Sequence, residues 1–211
     1  MMKNNHSVDK IIEIKENELI SISLDKTMKI WNLNNENKFE CIKSINFQNS
    51  ENCADIYKLN ENEFITSSFD DKYIKFWNSN NYSNITTINN IVSSWTWKNM
   101  CLLENDLLCV GGSYSKRFYL IKISTHQLIK NIIGPKKIFS INECLDGLFL
   151  CSIIDKKGNN SLVKYKFEDL NLKKVFEKEK AHDSYIYSCT ELNNGIVVSG
   201  GDDKLIKLWK E

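Results

Sequence analysis

Two stretches of this sequence place a histidine, a serine and an aspartate at similar intervals: His6, Ser21 and Asp25 near the start, and His182, Ser199 and Asp203 near the end. These are the residue types of a nucleophilic hydrolase, in which a histidine takes the serine proton and a carboxylate holds the imidazole. Catalysis needs such a set once, at a solvated pocket. Here it occurs twice, and each copy carries a tryptophan ten residues after its serine, Trp31 and Trp209. A duplicated set that includes an indole argues for architecture and not for turnover. Other catalytic groupings are thin. Asp55 and Asp183 are the carboxylates expected at inner-strand or entry positions, too few and too widely separated in the repeat to make the acid pair that glycan hydrolysis requires. His126, in I-S-T-H-Q-L, has no cysteine or carboxylate at ligand spacing, so it reads as a strand or turn residue and not as a metal ligand. No cofactor is expected.

The elements that must position these residues are visible as a repeat. Residues 21–31 read S-I-S-L-D-K-T-M-K-I-W, residues 67–77 read S-S-F-D-D-K-Y-I-K-F-W, and residues 199–209 read S-G-G-D-D-K-L-I-K-L-W. In each, an aspartate stands six residues before the tryptophan. The second copy thus contributes Ser67, Asp71 and Trp77. Trp31 and Trp77 are 46 residues apart and Trp77 and Trp209 are 132 apart, leaving room for two further units of a period near 40 to 45 residues. Those two are degraded. The third has Ile121 at the tryptophan place and Ser115 at the aspartate place, and the fourth has apolar runs at 148–154 and 162–167, with Lys166 at the tryptophan place. Each unit reads as four strands; in the second they are expected at 54–59, 63–68, 73–78 and 83–88, with Asn, Glu, Asp and Lys between them. Apolar side chains on both faces of the third strand, Ile30 and Trp31 for example, suit a sheet covered on both sides.

The repeated residues resemble the WD-repeat family, whose signature is a His before the inner strand, a Ser or Thr on the second, an Asp at the next turn and a Trp on the third. The first unit matches with His6, Ser21, Asp25 and Trp31, and the fifth with His182, Ser199, Asp203 and Trp209, while the second lacks a His near Asn52. The resemblance implies an all-β fold, a β-propeller of about five four-stranded blades at roughly 6–45, 52–89, 95–133, 136–177 and 181–211, in a single domain over 1–211. It implies a buried chain of hydrogen bonds from Trp to Ser to His to Asp. It also implies a non-enzymatic interaction scaffold, an adaptor subunit that binds partner peptides on the rim. On that rim fall Leu24, Asp70, Tyr114 and Asp202, together with Trp95 and Trp97, which stand where the third unit would carry its His, and Tyr185 with Tyr187. The alternative is a glycan-binding or glycan-hydrolysing five-bladed propeller.

The last unit stops at Lys210 and Glu211, just after its third strand, so its outer strand is expected to be lacking. Three readings stay open: an imperfect closed ring of five, a piece of a seven-bladed propeller, or an open edge at Leu205 to Trp209 that takes a strand from a partner. Composition sets the remaining bounds. Twenty-eight Lys and Arg against 27 Asp and Glu leave a formal charge of +1, without basic runs, so neither nucleic acid nor an anionic membrane is an expected partner. Seven cysteines without a C-x-x-C pair point to buried thiols in a reducing compartment, the cytoplasm or the nucleus.

Overall fold

The computed structural model describes residues 6–47, 53–68, 72–91, 100–111, 116–134, 136–144, 147–155 and 157–210. Among them there is no helix, and the strands form five antiparallel sheets in which each strand pairs with its sequence neighbour. The chain divides into two compact units, Met1–Ser93 and Ser94–Glu211.

In the first unit, β1 (Val8–Lys15), β2 (Glu18–Ser23), β3 (Thr27–Leu33) and β4 (Phe39–Asn46) form one sheet. β5 (Cys53–Lys58), β6 (Glu63–Ser68), β7 (Tyr73–Asn78) and β8 (Asn84–Asn89) form the next. The strands expected at 54–59, 63–68, 73–78 and 83–88 are thus found within one residue of those bounds. Ile20, Ile22, Met28 and Ile30 of the first sheet share a core with Cys53, Ile56, Phe64 and Trp77 of the second, and β1 and β2 pack on β5. Trp77 stacks on Phe64 at 6.1 Å between ring centroids and takes Phe47 edge-on at 6.3 Å.

The second unit holds β9 (Met100–Leu103), β10 (Leu107–Gly111), β11 (Arg117–Lys122) and β12 (Gln127–Ile133) as one sheet. β13 (Lys137–Glu143), β14 (Phe149–Ile154), β15 (Asn160–Glu168) and β16 (Asn171–His182) make the second, and β17 (Ile186–Glu191), β18 (Val197–Gly201) and β19 (Ile206–Trp209) the third. This last sheet has three strands, as expected. Cys109, Phe118 and Leu120 of its first sheet pack on Ile138, Ile141 and Phe149 of the next. Leu150 and Leu162 in turn pack on Ile186, Cys189 and Val197. Within each unit, therefore, the outgoing face of one sheet covers an incoming face of the next, which is why apolar residues alternate to both sides of the same strand. Approach is close: a Cβ added to Gly111 would lie 2.2 Å from Ile141 Cδ1.

Cross-strand pairing identifies equivalent positions without counting along the chain. Trp31 lies opposite Leu19, Trp77 opposite Phe64, Ile121 opposite Leu108, Tyr165 opposite Phe149 and Trp209 opposite Val197. In the four four-stranded sheets the pairing of the third strand with the fourth slips immediately before that residue. The tryptophan place of the fourth sheet is therefore Tyr165, which is buried, and not Lys166. A shift of one residue moves a side chain to the other face. Of the seven cysteines, Cys41 is exposed on β4 and Cys144 half-buried, where buried thiols are the general expectation; the other five are buried.

Candidate functional site

The fifth sheet assembles one complete set. β16 runs out of the fourth sheet and ends on His182, which delivers the ring to the mouth of the fifth. Trp209 Nε1 donates to Ser199 Oγ at 2.8 Å, Ser199 Oγ lies 2.7 Å from His182 Nε2, and His182 Nδ1 lies 2.8 and 2.9 Å from the two Asp203 oxygens. One order satisfies every atom: the indole N–H to the serine oxygen, the serine O–H to Nε2, and Nδ1–H to the carboxylate. Burial alone would raise the Asp203 pKa, but hydrogen bonds from His182, Lys207 and the backbone amides of Leu205 and Asp183 outweigh it and hold the carboxyl at about 2. Ser199 and His182 are buried, and the indole occupies one lone pair of the serine oxygen. The set has the connectivity of a hydrolytic triad, with Ser199 and His182 buried among the described residues.

The other sheets carry less of it. In the first, Trp31 Nε1 donates to Ser21 Oγ at 2.9 Å. Asp25 accepts from the Thr27 amide at 3.0 Å and its hydroxyl at 2.5 Å, building the turn. His6 is exposed; its backbone carbonyl meets Ser23 Oγ at 3.5 Å, and among the described residues its ring bonds neither Ser21 nor Asp25. In the second sheet the indole acceptor is Thr66, 2.9 Å from Trp77 Nε1, and not Ser67. Three residues separate β2 from β3 and four separate β6 from β7, so counting ten back from Trp77 falls one short. Ser67 then points to the opposite face, buried with no hydrogen-bond partner for Oγ among the described residues. Asp71 lies outside the described residues. In the third and fourth sheets, both partners are replaced together: Val110 faces the serine place beside Ile121, and Cys151 beside Tyr165, all buried. In the third sheet, where both members are aliphatic, the replacement leaves no orphaned donor.

Of the expected rim residues, Asp70, Trp95, Trp97 and Tyr114 lie outside the described residues. Leu24 is 49% exposed at the β2–β3 turn, its amide bonded to the Ser7 carbonyl. Tyr185 and Tyr187 are 40% and 45% exposed, and they form a patch with a residue that the repeat does not single out, Phe139. Tyr185 stacks on Phe139 at 5.5 Å and Tyr187 lies tilted against it at 5.8 Å. Phe139 and Tyr187 are equivalent: each is the residue skipped where the inner strand slips against the second, between Ile138 and Ser140 and between Ile186 and Ser188. An alignment of inner strands would have signalled it. Asp202 is exposed beside the patch. Its amide donates to the Tyr185 carbonyl at 2.9 Å and its Oδ2 accepts from Ser184 Oγ at 3.1 Å. Burial first, and then the Asp202 carboxylate that its hydroxyl bonds, raise the Tyr187 pKa.

Asp55 is buried and ion-paired with Lys10 at 2.5 Å; Asp183 is exposed, its amide 3.4 Å from Asp203. His126 holds the β11–β12 turn, with φ of 52° and its amide on the Ile123 carbonyl. Among the described residues no three His, Cys, Asp or Glu side chains cluster as metal ligands. A buried ion pair that the repeat does not announce joins Lys164 Nζ to Glu191 Oε1 at 2.6 Å, with side chains 2% and 6% exposed.

Compared with known proteins, residues 172–210 match the family described as WD domain, G-beta repeat. That match runs from β16 through the three strands of the fifth sheet and includes the complete hydrogen-bonded set. No curated protein matches. Among solved structures, a chain in the crystal structure of a mitotic checkpoint complex is similar with a TM-score of 0.76 and 14% identity, over 93% of this chain. This chain spans 61% of the length of that one. The fold is that of a β-propeller, five blades of which the fifth has three strands.

Proposed function

We propose that this chain, a WD-repeat β-propeller protein, is a non-enzymatic scaffold that serves as an adaptor subunit of a larger complex by holding a partner's peptide segment on its rim. The observation that carries this reading is the aromatic patch of half-buried Phe139, on the fourth sheet, with exposed Tyr185 and Tyr187 beside the oriented carboxylate of Asp202, on the fifth sheet, whose Ser/His/Asp set is buried and fully engaged. Electron-rich ring faces next to a carboxylate are the surroundings that a Lys or Arg side chain prefers. Aromatic side chains also supply contact area at low entropic cost, which is why they dominate binding hot spots. The preferred occupant is therefore a peptide with a cationic anchor. Leu24, Asp70, Tyr114, Trp95 and Trp97 are further rim candidates on the sequence pattern, and the edge strand at Leu205–Trp209 offers backbone groups to an added strand.

Near-balanced charge, +1 over the chain, supports proteins as partners in preference to nucleic acid or membrane. An odd number of cysteines without a C-x-x-C pair, five of them buried, suits a reducing compartment, and cytoplasm or nucleus is proposed on that ground. The test is selection from a display library of short peptides, with parent protein and with Tyr185→Ala/Tyr187→Ala and Asp202→Asn as baits. The parent should enrich peptides that share an Arg or Lys, and both variants should lose that enrichment at least tenfold. Enrichment unchanged in both variants, or a parent selection without a basic residue, contradicts the reading.

A further inference from the structure

A groove of about 530 Å³ lies between the third and fourth sheets, within the second unit. Every residue that lines it falls between Ile132 and Glu177. Its sides are β12 and β16, the last strands of their sheets. Ile132 and Ile133 of β12, Ile153 of β14 and Leu172 of β16 make it apolar. Its polar groups are few: Lys136 before β13, Tyr165 on β15, and Asn171, Lys174 and Glu177 on β16. An apolar hollow with a few convergent polar groups is the usual form of a ligand site.

The hydrogen bonds of these groups show which partner is missing. Tyr165 is 2% exposed, and its ring is held edge-on by Phe118 at 5.8 Å. Burial above all, and then the charges of Cys151 and Glu177, push its pKa up, so the hydroxyl stays a neutral donor. Among the described residues that hydroxyl has no hydrogen-bond partner. Both oxygens of Glu177 are taken, Oε1 by Lys136 Nζ at 2.7 Å and Oε2 by Lys174 Nζ at 2.6 Å. Burial alone would raise the Glu177 pKa, but the hydrogen bonds and charges of the two lysines outweigh it and keep the carboxyl ionised. Asn171 Oδ1 accepts from Lys130 Nζ at 3.1 Å. Each ammonium has three donors, and Lys136 and Lys174 each spend one on Glu177. Every carboxylate and amide oxygen lining the groove is thus engaged, donors are in excess, and its cations outnumber its anions by two to one.

A group that only accepts, and that carries negative charge, answers that excess; an amide or a hydroxyl would bring donors of its own. We propose that this groove binds the C-terminal residue of a partner polypeptide, its terminal carboxylate received by Lys136, Lys174 and the Tyr165 hydroxyl and its aliphatic side chain by Ile132, Ile133 and Leu172. A C-terminal Leu, Ile or Val carries the carboxylate and the branched side chain on one carbon, the combination that the groove presents in adjoining places. One side is open, with Ile133 67% exposed and the Lys174 side chain 53% exposed. An occupant is therefore not enclosed as a small metabolite would be, and its chain can continue outward. The groove shares no residue with the aromatic patch of Phe139, Tyr185 and Tyr187, so the two sites are tested separately.

Fluorescence polarisation tests this with a labelled short peptide ending in Leu, made once with a free C-terminal carboxylate and once as the C-terminal amide. The parent should bind the acid form about tenfold more tightly than the amide, the difference expected for hydrogen bonds to a charged group. Tyr165→Phe removes only the hydroxyl. Its unfolding temperature should equal or exceed that of the parent, because an orphaned donor is gone, while the preference for acid over amide should fall several-fold. Lys174→Met, at an exposed position, should reduce the same preference and serves as the test if Tyr165→Phe does not fold. Tyr185→Ala/Tyr187→Ala should bind the peptide as the parent does. Equal binding of the acid and amide forms, or a preference unchanged in Lys174→Met, overturns the proposal. Isocaproate that competes as well as the unlabelled peptide would make a small acid the occupant, and overturns it equally.

Discussion

The carboxylate of Asp203 decides how the fifth sheet responds to acid. Its folded pKa, about 2, lies below the value of about 4 for an unfolded aspartate, so the folded state favours the ionised form. The stability this contributes is fully present above pH 4 and is lost as pH falls from there through 2. Asp203→Asn removes that dependence. Denaturant melts of parent and variant should therefore differ most at neutral pH, with the parent more stable, and converge between pH 4 and 2. A difference that stays constant over that interval would mean that the carboxylate is not engaged as His182, Lys207 and the two amides indicate.

At the scale of the sheets, what the sequence made legible was the order of strands. Alternation of β-branched and aromatic residues with Asn- and Asp-rich turns places β5 to β8 within a residue, because period and turn chemistry are local properties. Facing is not local. Thr66, Ser67 and Ser68 form a hydroxyl run in which only cross-strand pairing selects the residue under Trp77, and one extra turn residue changes the answer. Tyr165 escaped for the same reason, with Lys166 beside it. The pair of Lys164 and Glu191 was illegible because each residue alone looks like a solvated strand charge; only the packing of the fourth sheet on the fifth buries both. Removing one partner from such a pair leaves an uncompensated charge at a cost of about 3–5 kcal/mol, whereas replacing both with apolar residues is close to neutral. Lys164→Met should accordingly lower unfolding stability by about 3 kcal/mol or more, and Lys164→Met/Glu191→Leu should recover most of it. A double variant as unstable as the single one would show that the pair is more than a packing element.

For the molecule as a whole, the repetition of a Ser/His/Asp set is the point on which function turns. The same three residue types serve a hydrolase when the serine faces solvent and serve architecture when an indole closes the chain of hydrogen bonds. In the fifth sheet the indole of Trp209 closes it, in the first the Trp31–Ser21 link alone is made among the described residues, and Val110 with Ile121 and Cys151 with Tyr165 stand in its place in the third and fourth. A set that can be dropped sheet by sheet without loss of the fold is a stabilising device. Binding is then proposed for residues around it: Tyr185, Tyr187 and Asp202, named from the sequence pattern, and Phe139, which emerged from the register. The most direct measurement is exposure of the native protein to a fluorophosphonate that labels activated serines, followed by peptide mass analysis and by a melt of Ser199→Ala. The account predicts no adduct on Ser199 in the folded chain and a lowered melting temperature for the variant. Stoichiometric labelling of Ser199 in the folded protein, with the melting temperature of Ser199→Ala unchanged, would contradict it.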